Sequence, residues 1–404
     1  MSTPAFEPTR SAGLNRLEAF APLAADYAES RSYVEPGHPN VSRLSPWIRR
    51  RLVLESEVVS RVLREYPDAR VDKLVQEVGW RAYWKGWLEL RPQLWTDYRE
   101  RIEHDFYHLS PEERDRLNAA EAGESGIECF DDWARELNDT GYLHNHVRMW
   151  FASIWIFTLG LPWPLGADWF HRQLLDGDPA SNTLSWRWVA GLHTRGRHYL
   201  ARAANIEKFT RGRYAPHGRL NEHAPPLSEE GVYEPGELAD GTPPSPRRRT
   251  GLLLHLDDLV PEQSGIAAFP VAAAAAGPDS YSAAHQGLSE RVRAFNRGAL
   301  ADALDRAARH FSVQASALDE ADWNASVMRW VDSNRLEQVL VLDAPVGPRA
   351  DALAALEPRL RAAGIALARH RRPWDSRLWP HATGGYAHFR KRLYPELEIL
   401  LAGR

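Results

Sequence analysis

The sequence predicts a protein of two domains, an all-helical domain followed by a smaller α/β domain with a parallel sheet. Its 404 residues exceed the length of one typical domain. From Ala12 to Arg213, apolar residues recur at the three- and four-residue spacing typical of helices. After Gly251, short apolar runs alternate with helical stretches, as in a parallel α/β sheet. We therefore expect a helical domain over 1–220, a linker over 221–250 and an α/β domain over 251–404.

One helix start in the first half is marked by its capping residues. In "SPEERDRLNAAEAGES", Ser110 is placed to cap the helix, Pro111 occupies its first position and Glu113 follows three residues after the cap. The longest apolar run, "MWFASIWIFTLGLPWPLG", is interrupted by Pro162 and Pro164, so it predicts a buried core helix and not a membrane span.

The second half supplies both kinds of element. Residues 221–250 are rich in proline, glycine and acidic residues, which predicts a linker or long surface loop. The stretch "AAFPVAAAAAG" is low in complexity and is interpreted as structural. No phosphate-binding glycine fingerprint follows a predicted strand. The predicted strands are "GLLLHL" from Gly251, "QVLVLDAP" from Gln338 and "IALARH" from Ile365, and the predicted helices run from Ser289 to His310 and from Pro348 to Ala363.

Composition limits the classes of function. The net charge of −4 predicts no general affinity for nucleic acid, so any polyanion site must be a local patch. The single cysteine, Cys129, excludes an internal disulfide, a cysteine-ligated zinc and an iron-sulfur cluster. It also fits a reducing compartment and, with no secretory leader in the sequence, we expect a cytoplasmic protein. The 16 tryptophans are unusually many. They either pack in the core or act as stacking surfaces or electron carriers.

The stretch "LLDGDPASNTLSWRW" places two carboxylates close to an asparagine. Asp176, Asp178 and Asn182 resemble the start of a calcium loop, but that loop needs glycine at its sixth position and glutamate at its twelfth. Ser181 and Arg187 occupy those two places. A calcium site is therefore not expected, and no other metal site is predicted.

Two further segments place charged residues on apolar helix faces. Asn145, Arg148 and Met149 share one face, where the arginine needs an anionic partner, and Asp176 is the candidate. A structural ion pair is the alternative explanation. In "QEVGWRAYWKGW", an apolar core stripe explains the tryptophans at 80, 84 and 87, but it does not explain the charged residues on the same side, Glu77 and Arg81.

A third segment, "NVSRLSPWI", combines hydroxyls, an arginine and a helix start. Ser42 and Arg43 come shortly before Ser45, which is placed to cap the helix that begins at Pro46. This set suits a diphosphate, although it is also an ordinary helix start. A ligand that needs a phosphate site, a polar ring edge, an asparagine near a redox centre and nearby tryptophans is a flavin dinucleotide.

Four segments together resemble a known family. "SRLSPWI", "QEVGWRAYW", "ELNDTGYLHNHVRMW" and "LLDGDPASNTLSWRWVAG" are similar to successive motifs of the helical FAD-binding domain of the photolyase and cryptochrome family, in the same order and at the same spacings. The resemblance covers roughly residues 12–213 and implies FAD as the cofactor. It implies that the phosphates are held by Tyr27, Ser42, Arg43, Leu44 and Ser45, and that the flavin is held by Arg81, Asn145, Arg148, Asp176, Asp178 and Asn182.

The resemblance also assigns individual roles. Asp176 would pair with Arg148 beside the flavin, Asp178 would take the polar edge of the isoalloxazine, and Asn182 would face the ring nitrogen that is protonated on reduction. Two tryptophans, Trp186 and Trp163, match the family's photoreduction relay.

The dimer-splitting branch of the family reads a flipped-out pyrimidine dimer with a set of five side chains. The implied reaction is electron transfer from light-excited reduced FAD to a cyclobutane pyrimidine dimer in DNA, by a monomeric lyase. The alternatives are a cryptochrome-like photoreceptor without repair activity and a flavoenzyme that uses this scaffold on a small molecule. The five places are occupied here by Glu77, Trp80, Asn145, Met149 and Trp188.

The sequence departs from the family pattern in several places. Val41 replaces a threonine, and His146 replaces an arginine that would contact DNA. The outermost relay place, near Leu109 or Ser110, holds no tryptophan, so Tyr107, or a route through Trp155 or Trp169, would have to replace it.

The order of the domains also differs from that of the family. The family places its α/β antenna domain before the helical one, whereas "WPHATGGYAHFRKRL", which resembles the end of that antenna domain, lies near the end of this chain. A circular permutation would explain this order. Which antenna chromophore, if any, binds is not predicted.

Overall fold

The computed structural model describes residues 6–67, 69–277, 287–319 and 322–402, so the outermost ends of the two predicted domains lie outside the described residues. The first half of the chain is helical, as predicted. Its helices are α1 (Arg10–Phe20), α2 (Tyr27–Ser30), α3 (Ser45–Arg49), α4 (Glu55–Glu65), α5 (Asp72–Glu89), α6 (Gln93–Tyr107), α7 (Pro111–Ala122), α8 (Glu128–Thr140), α9 (Asn145–Ser153), α10 (Trp163–Gln173), α11 (Pro179–Ala190) and α12 (Ala203–Phe209).

The local signals in this half act as expected. The Ser110 hydroxyl accepts from the Glu113 amide at 3.2 Å, and the Glu113 carboxylate accepts from the Ser110 amide at 2.9 Å, so the predicted capping box is present. The long apolar run forms α9, a π-helical turn and the start of α10, with an interruption at Pro162. Within the described ranges, no helix is long and apolar enough to cross a membrane.

In the part of the second half that the structure describes, five strands form a parallel sheet in the order β3-β2-β1-β4-β5. Helices connect most of the strands, as the alternating pattern predicted. The elements are β1 (Thr250–Leu254), β2 (Ala273–Ala276), α13 (Glu290–Phe311), β3 (Ala315–Ala317), α14 (Trp323–Ser333), β4 (Gln338–Leu342), α15 (Pro348–Ala362), β5 (Ala366–His370), α16 (Pro373–Leu378) and α17 (Tyr386–Leu401).

The strand β2 was not predicted, because it consists of alanines alone. Its four residues are all buried. A run of small apolar residues has no alternation of polar and apolar positions, and such a run does not distinguish a buried strand from a helix. The stretch that we interpreted only as structural is thus an inner strand of the sheet, paired with β1 on one side and β3 on the other.

The two faces of the sheet join different cores. Leu252 and Leu254 pack into the large core that also fills the helical half, and α13 contributes Phe295 to the same core. Leu253, one residue away and on the opposite face, packs with Trp330 of α14 in a second core. The helical half and the sheet therefore share one continuous apolar core.

The stretch between α12 and β1 contains no helix or strand. It nevertheless lies against the helical half. The Tyr233 hydroxyl donates to Asp97 at 2.8 Å, and Arg91 donates to the Tyr233 carbonyl at 2.8 Å. Glu229 pairs with the buried Arg187 of α11. These contacts hold the stretch on the surface of the helical half.

Candidate functional site

A cavity of about 630 Å³ opens between α3, α5, α9 and α11. The four sequence segments that carry the motifs meet at its walls. One predicted site residue, Trp163, does not line it. The predicted residues that do line it are Tyr27, Ser42, Arg43, Leu44, Ser45, Glu77, Trp80, Arg81, Asn145, Arg148, Met149, Asp176, Asp178, Asn182, Trp186 and Trp188.

The predicted pair between Arg148 and Asp176 is present at the cavity wall. Nη2 of Arg148 lies 2.8 Å from Oδ2 of Asp176. The other carboxylate oxygen, Oδ1, is buried and has no hydrogen-bond partner within the part of the chain that the structure describes. A buried oxygen without a donor is costly, so this position favours a ligand that donates a hydrogen bond.

Asp178 lies in a different environment, because positive charges surround it. Its Oδ1 accepts from the Ser181 amide at 2.9 Å and so caps α11. Its Oδ2 lies 2.7 Å from Nη1 of Arg81 and 3.0 Å from Nζ of Lys85. Burial alone would raise the pKa of Asp178, but Lys85, Arg81 and Arg49 together hold it well below its usual range. The group is a permanent carboxylate.

Lys85 was missed in the sequence analysis. It is buried, and burial lowers its pKa against the attraction of Asp178. Its position four residues after Arg81, on the same face of α5, was the available signal. Asp178 is paired to these cations, and the described residues contain no group of three or more His, Cys, Asp or Glu side chains that could hold a metal ion.

The segment around Arg43 differs from the prediction. Leu44 already has helical dihedral angles and is the N-cap of α3, so Ser45 lies inside the first turn, and no side-chain cap is formed. The prediction that Ser45 caps this helix is therefore wrong. Arg43 has a positive φ of 54°, and its guanidinium lies 4.7 Å above the ring of Phe6. Its Nε is buried without a partner among the described residues.

A second missed residue, His144, caps α9. Its Nδ1 accepts from the His146 amide at 3.1 Å, so the ring proton resides on Nε2. Nε2 is buried, has no partner in the described ranges, and belongs to a residue that lines the cavity. Burial, followed by the neighbouring His38 and His146, lowers the pKa of His144 to about 3. The ring is a neutral hydrogen-bond donor at the cavity wall.

The five residues expected to read a substrate come from three helices. Glu77 pairs with Arg31 at 2.8 Å and with Lys73 at 3.3 Å. Trp80 lies one turn further along α5, and Trp188 stacks on Tyr199 with ring centroids 5.9 Å apart. Asn145 and Met149 occupy one face of α9, as predicted.

The aromatic residues near the cavity form two groups. Trp186 lines the cavity and meets Trp155 edge-on at 6.1 Å, and Trp155 stacks on Trp169 at 6.1 Å. Gly166 permits this arrangement, because a Cβ there would lie 2.4 Å from Trp186 and 2.8 Å from Trp155. Trp163 belongs to the other group and stacks on Tyr98 at 5.5 Å.

The proposed substitute for the missing third tryptophan lies at the surface. The side chain of Tyr107 is 65% exposed, and its ring lies edge-on to Phe106 at 5.6 Å. In the described part of the chain it contacts no tryptophan ring.

Comparison with known proteins agrees with this geometry. Residues 74–222 match the model of the FAD-binding domain of DNA photolyase. The helical half is therefore similar to the FAD-binding domain of the photolyase/cryptochrome family. A deoxyribodipyrimidine photo-lyase of Streptomyces griseus is 36% identical over 169 residues, which cover 40% of this chain and 36% of that protein. A cryptochrome DASH of Synechocystis is 28% identical over 247 residues, which cover 58% of this chain and 49% of that protein.

Solved structures of the family are also similar. The class III photolyase of Agrobacterium tumefaciens has 28% sequence identity and a TM-score of 0.43, over 50% of this chain and 42% of that one. A cryptochrome of Synechocystis has 26% identity and a TM-score of 0.45, over 51% and 44% of the two chains. The similarity therefore spans less than two thirds of each of these relatives.

The side chains at the cavity fit FAD, the cofactor of this domain family. Among the residues that the structure describes, the cavity wall contains one buried acceptor without a donor, Oδ1 of Asp176, and two buried donors without an acceptor, Nε of Arg43 and Nε2 of His144. A flavin dinucleotide presents both donors and acceptors, in its ring imide, ribityl hydroxyls and diphosphate. The cationic side chains of Arg43 and Arg148 also suit its negative charge.

Proposed function

We propose that this protein splits cyclobutane pyrimidine dimers in DNA in a light-dependent reaction, with reduced FAD as the electron donor. One observation carries the proposal: the side chains expected to hold a dimer line the same cavity as those expected to hold the cofactor. The dimer set is Glu77, Trp80, Asn145, Met149 and Trp188. The photo-lyases among the relatives support the same reaction class.

In this proposal, the protein supplies binding, orientation and electrostatics. Reduced FAD, when bound and excited by blue light, supplies the electron that opens the cyclobutane ring and takes it back. The indoles of Trp80 and Trp188 offer flat faces to a pyrimidine pair that has left the duplex. The carboxylate of Glu77 keeps lone pairs for an imide N–H beside its pair with Arg31. Asn145, at the start of α9, supplies an amide to the same cavity.

Two residues expected to contact the flavin, Asp178 and Asn182, have a fixed charge or a fixed orientation. Asp178 stays ionised, because Lys85 and Arg81 contact its Oδ2. The amide nitrogen of Asn182 donates to the Ala167 carbonyl at 2.6 Å, which sets the orientation of this side chain. We infer that both groups face the flavin ring, in the roles that the resemblance implies.

The test is light-driven repair by the reduced, FAD-loaded protein. Absorbance near the thymine band should recover when a dimer-containing oligonucleotide is illuminated with blue light, and should not recover in the dark. Trp80→Phe should reduce the rate. Trp87→Phe is the matched control, because Trp87 lies on the same helix and does not line the cavity.

Failure to recover absorbance with FAD bound and reduced would reject the proposal. A light sensor is the second candidate, because the cryptochrome DASH relative matches a larger share of this chain, 58%, than the photo-lyase of Streptomyces griseus does, 40%. A normal photocycle without repair would favour it. Weak and salt-insensitive DNA binding would instead favour a small-molecule substrate.

A further inference from the structure

The α/β half of the chain contributes a side chain that covers one face of Trp80. Tyr386, the first residue of α17, stacks on the Trp80 indole with ring centroids 3.6 Å apart and an angle of 9° between the planes. Tyr386 does not line the cavity, whereas Trp80 does. Tyr386 therefore covers Trp80 from outside the cavity, and Trp84, which does line the cavity, lies beside the same indole at 5.1 Å and 34°. The corresponding stack of Trp188 on Tyr199 is looser, at 5.9 Å and 24°.

Several contacts fix the position of Tyr386. Its hydroxyl donates to the Gln76 carbonyl at 2.7 Å, one turn before Trp80 on the same helix. Its ring also meets Tyr83 edge-on at 5.5 Å and lies 5.9 Å from the ring of Phe389. A tyrosine held at both its hydroxyl and its ring is a rigid support.

The close approach of α17 to α5 depends on a glycine. A Cβ at Gly79 would lie 2.5 Å from Cδ2 of Leu393 and 3.4 Å from the Tyr386 hydroxyl. Gly79 immediately precedes Trp80, so the surface that receives α17 and the indole that it supports belong to the same helical turn.

The support matters because the Trp80 indole also borders the open cavity. A tryptophan beside a space of about 630 Å³ has room to change its rotamer. A ligand that stacks on it must then offset the conformational entropy that the side chain loses on binding. An indole whose rear face is already stacked has lost that freedom before a ligand arrives, which is how a supporting shell fixes a site.

We propose that Tyr386 is a positioning residue for the substrate, holding the Trp80 indole with one face presented to the pyrimidine dimer. The inference rests on the proposed function. It also means that the helix near the end of the α/β half completes the substrate site of the helical half.

The experiment compares the affinity of FAD-loaded variants for dimer-containing and undamaged oligonucleotides. Tyr386→Leu removes the flat face and should lower the preference for the dimer about tenfold, at unchanged FAD content. Tyr386→Phe keeps the ring and should keep the preference within about threefold. Tyr394→Phe is the matched control: its hydroxyl also joins α17 to α5, through Asp72, and no stack with Trp80 is involved.

Each outcome decides a different question. Loss of preference in Tyr386→Leu alone, with the Phe variant and the control unchanged, supports the inference. An unchanged preference in Tyr386→Leu overturns it, and so does a tenfold loss in Tyr386→Phe, which would assign the effect to the hydroxyl. If the Leu variant does not fold, Tyr386→Met, which also lacks a flat ring, takes its place, and the same two outcomes apply. A wild-type protein that shows no preference for the dimer rejects the proposed function itself, before any variant is considered.

Discussion

The carboxylate of Asp178 accepts a hydrogen bond from Arg81 at 2.7 Å, and this contact joins α11 to α5 at the cavity wall. The same guanidinium lies 2.9 Å from Oε1 of the buried Glu55, which in turn pairs with Arg51 at 3.2 Å. Arg51 contacts Asp375 of the α/β half at 2.6 Å. A chain of buried ion pairs thus runs from the cavity wall to the second half of the protein.

Asp178→Asn should be strongly destabilising. The substitution leaves Lys85 and Arg81 without their shared negative charge, and breaking a buried pair costs about 3 kcal/mol or more. Chemical denaturation measures the change in the free energy of unfolding. Asp132→Asn is the matched control, because Asp132 is 41% exposed and its pair with Arg135 is worth at most about 1 kcal/mol. Equal stability of the two variants would contradict this account of the network.

The buried imidazole of His144 predicts a pH-dependent stability. Its pKa is about 3 in the folded protein and about 6.5 in an unfolded chain. Between these values the unfolded state binds the proton, so the free energy of unfolding falls as the pH is lowered through this range. At about pH 5, His144 lowers the free energy of unfolding by about 2 kcal/mol relative to its value at high pH.

His144→Gln should therefore lose about 2 kcal/mol less than the wild type between about pH 8 and pH 5. Urea denaturation at the two pH values tests this. His108→Gln, at an exposed position, is the control and should follow the wild type. A His144 variant with the full wild-type dependence would assign the effect to the other buried histidines.

The aromatic groups predict which tryptophans matter for photoreduction. Trp186 lines the cavity, and its replacement by phenylalanine should abolish reduction of the bound flavin under illumination with an external reductant. Trp155 and Trp169 are fully buried, whereas Trp163 is partly exposed, and a charge is costly in a dry environment. Trp163→Phe should therefore slow photoreduction roughly tenfold, or about 1.4 kcal/mol in activation free energy.

The comparison variant for the relay is Trp155→Phe. The control is Trp133→Phe, because Trp133 is buried and its ring contacts among the described residues are with Trp150 and Tyr214, not with the relay tryptophans. Flavin absorbance during steady illumination gives the rates. A larger loss in Trp155→Phe than in Trp163→Phe would place the route through the buried pair, where Trp155 is the ring neighbour of Trp186.

Gly79→Ala should destabilise the protein, although alanine is usually favoured over glycine inside a helix by about 1 kcal/mol. The added Cβ would lie 2.5 Å from Leu393, and overpacking of this kind costs about 1–3 kcal/mol. The thermal midpoint measures the effect. Gly287→Ala serves as the control, because its nearest described atom is 3.8 Å away. A higher thermal midpoint in Gly79→Ala would contradict this prediction and show that α17 can shift away from the added Cβ at little cost.

The sequence alone determined the helical half, the parallel sheet and most of the cavity wall. Residues three and four apart on a helix share a face, so Asn145, Arg148 and Met149 could be placed together without a structure. Strands such as β1 and β4 were visible because their apolar runs are bounded by turns and separated by helices. The pairing of Arg148 with Asp176 followed from the cost of burying an unpaired charge.

Only the tertiary structure decided the contacts between distant segments. Tyr386 reaches the turn of α5 that carries Trp80 from 310 residues beyond Gln76, and no local spacing predicts such a neighbour. Lys85 is buried because Asp178 arrives from another helix. The alanines of β2 form a strand because they pair with β1 on one side and with β3 on the other. Local periodicity specifies which faces are apolar or charged, but the partner of each face is set by packing across the whole chain.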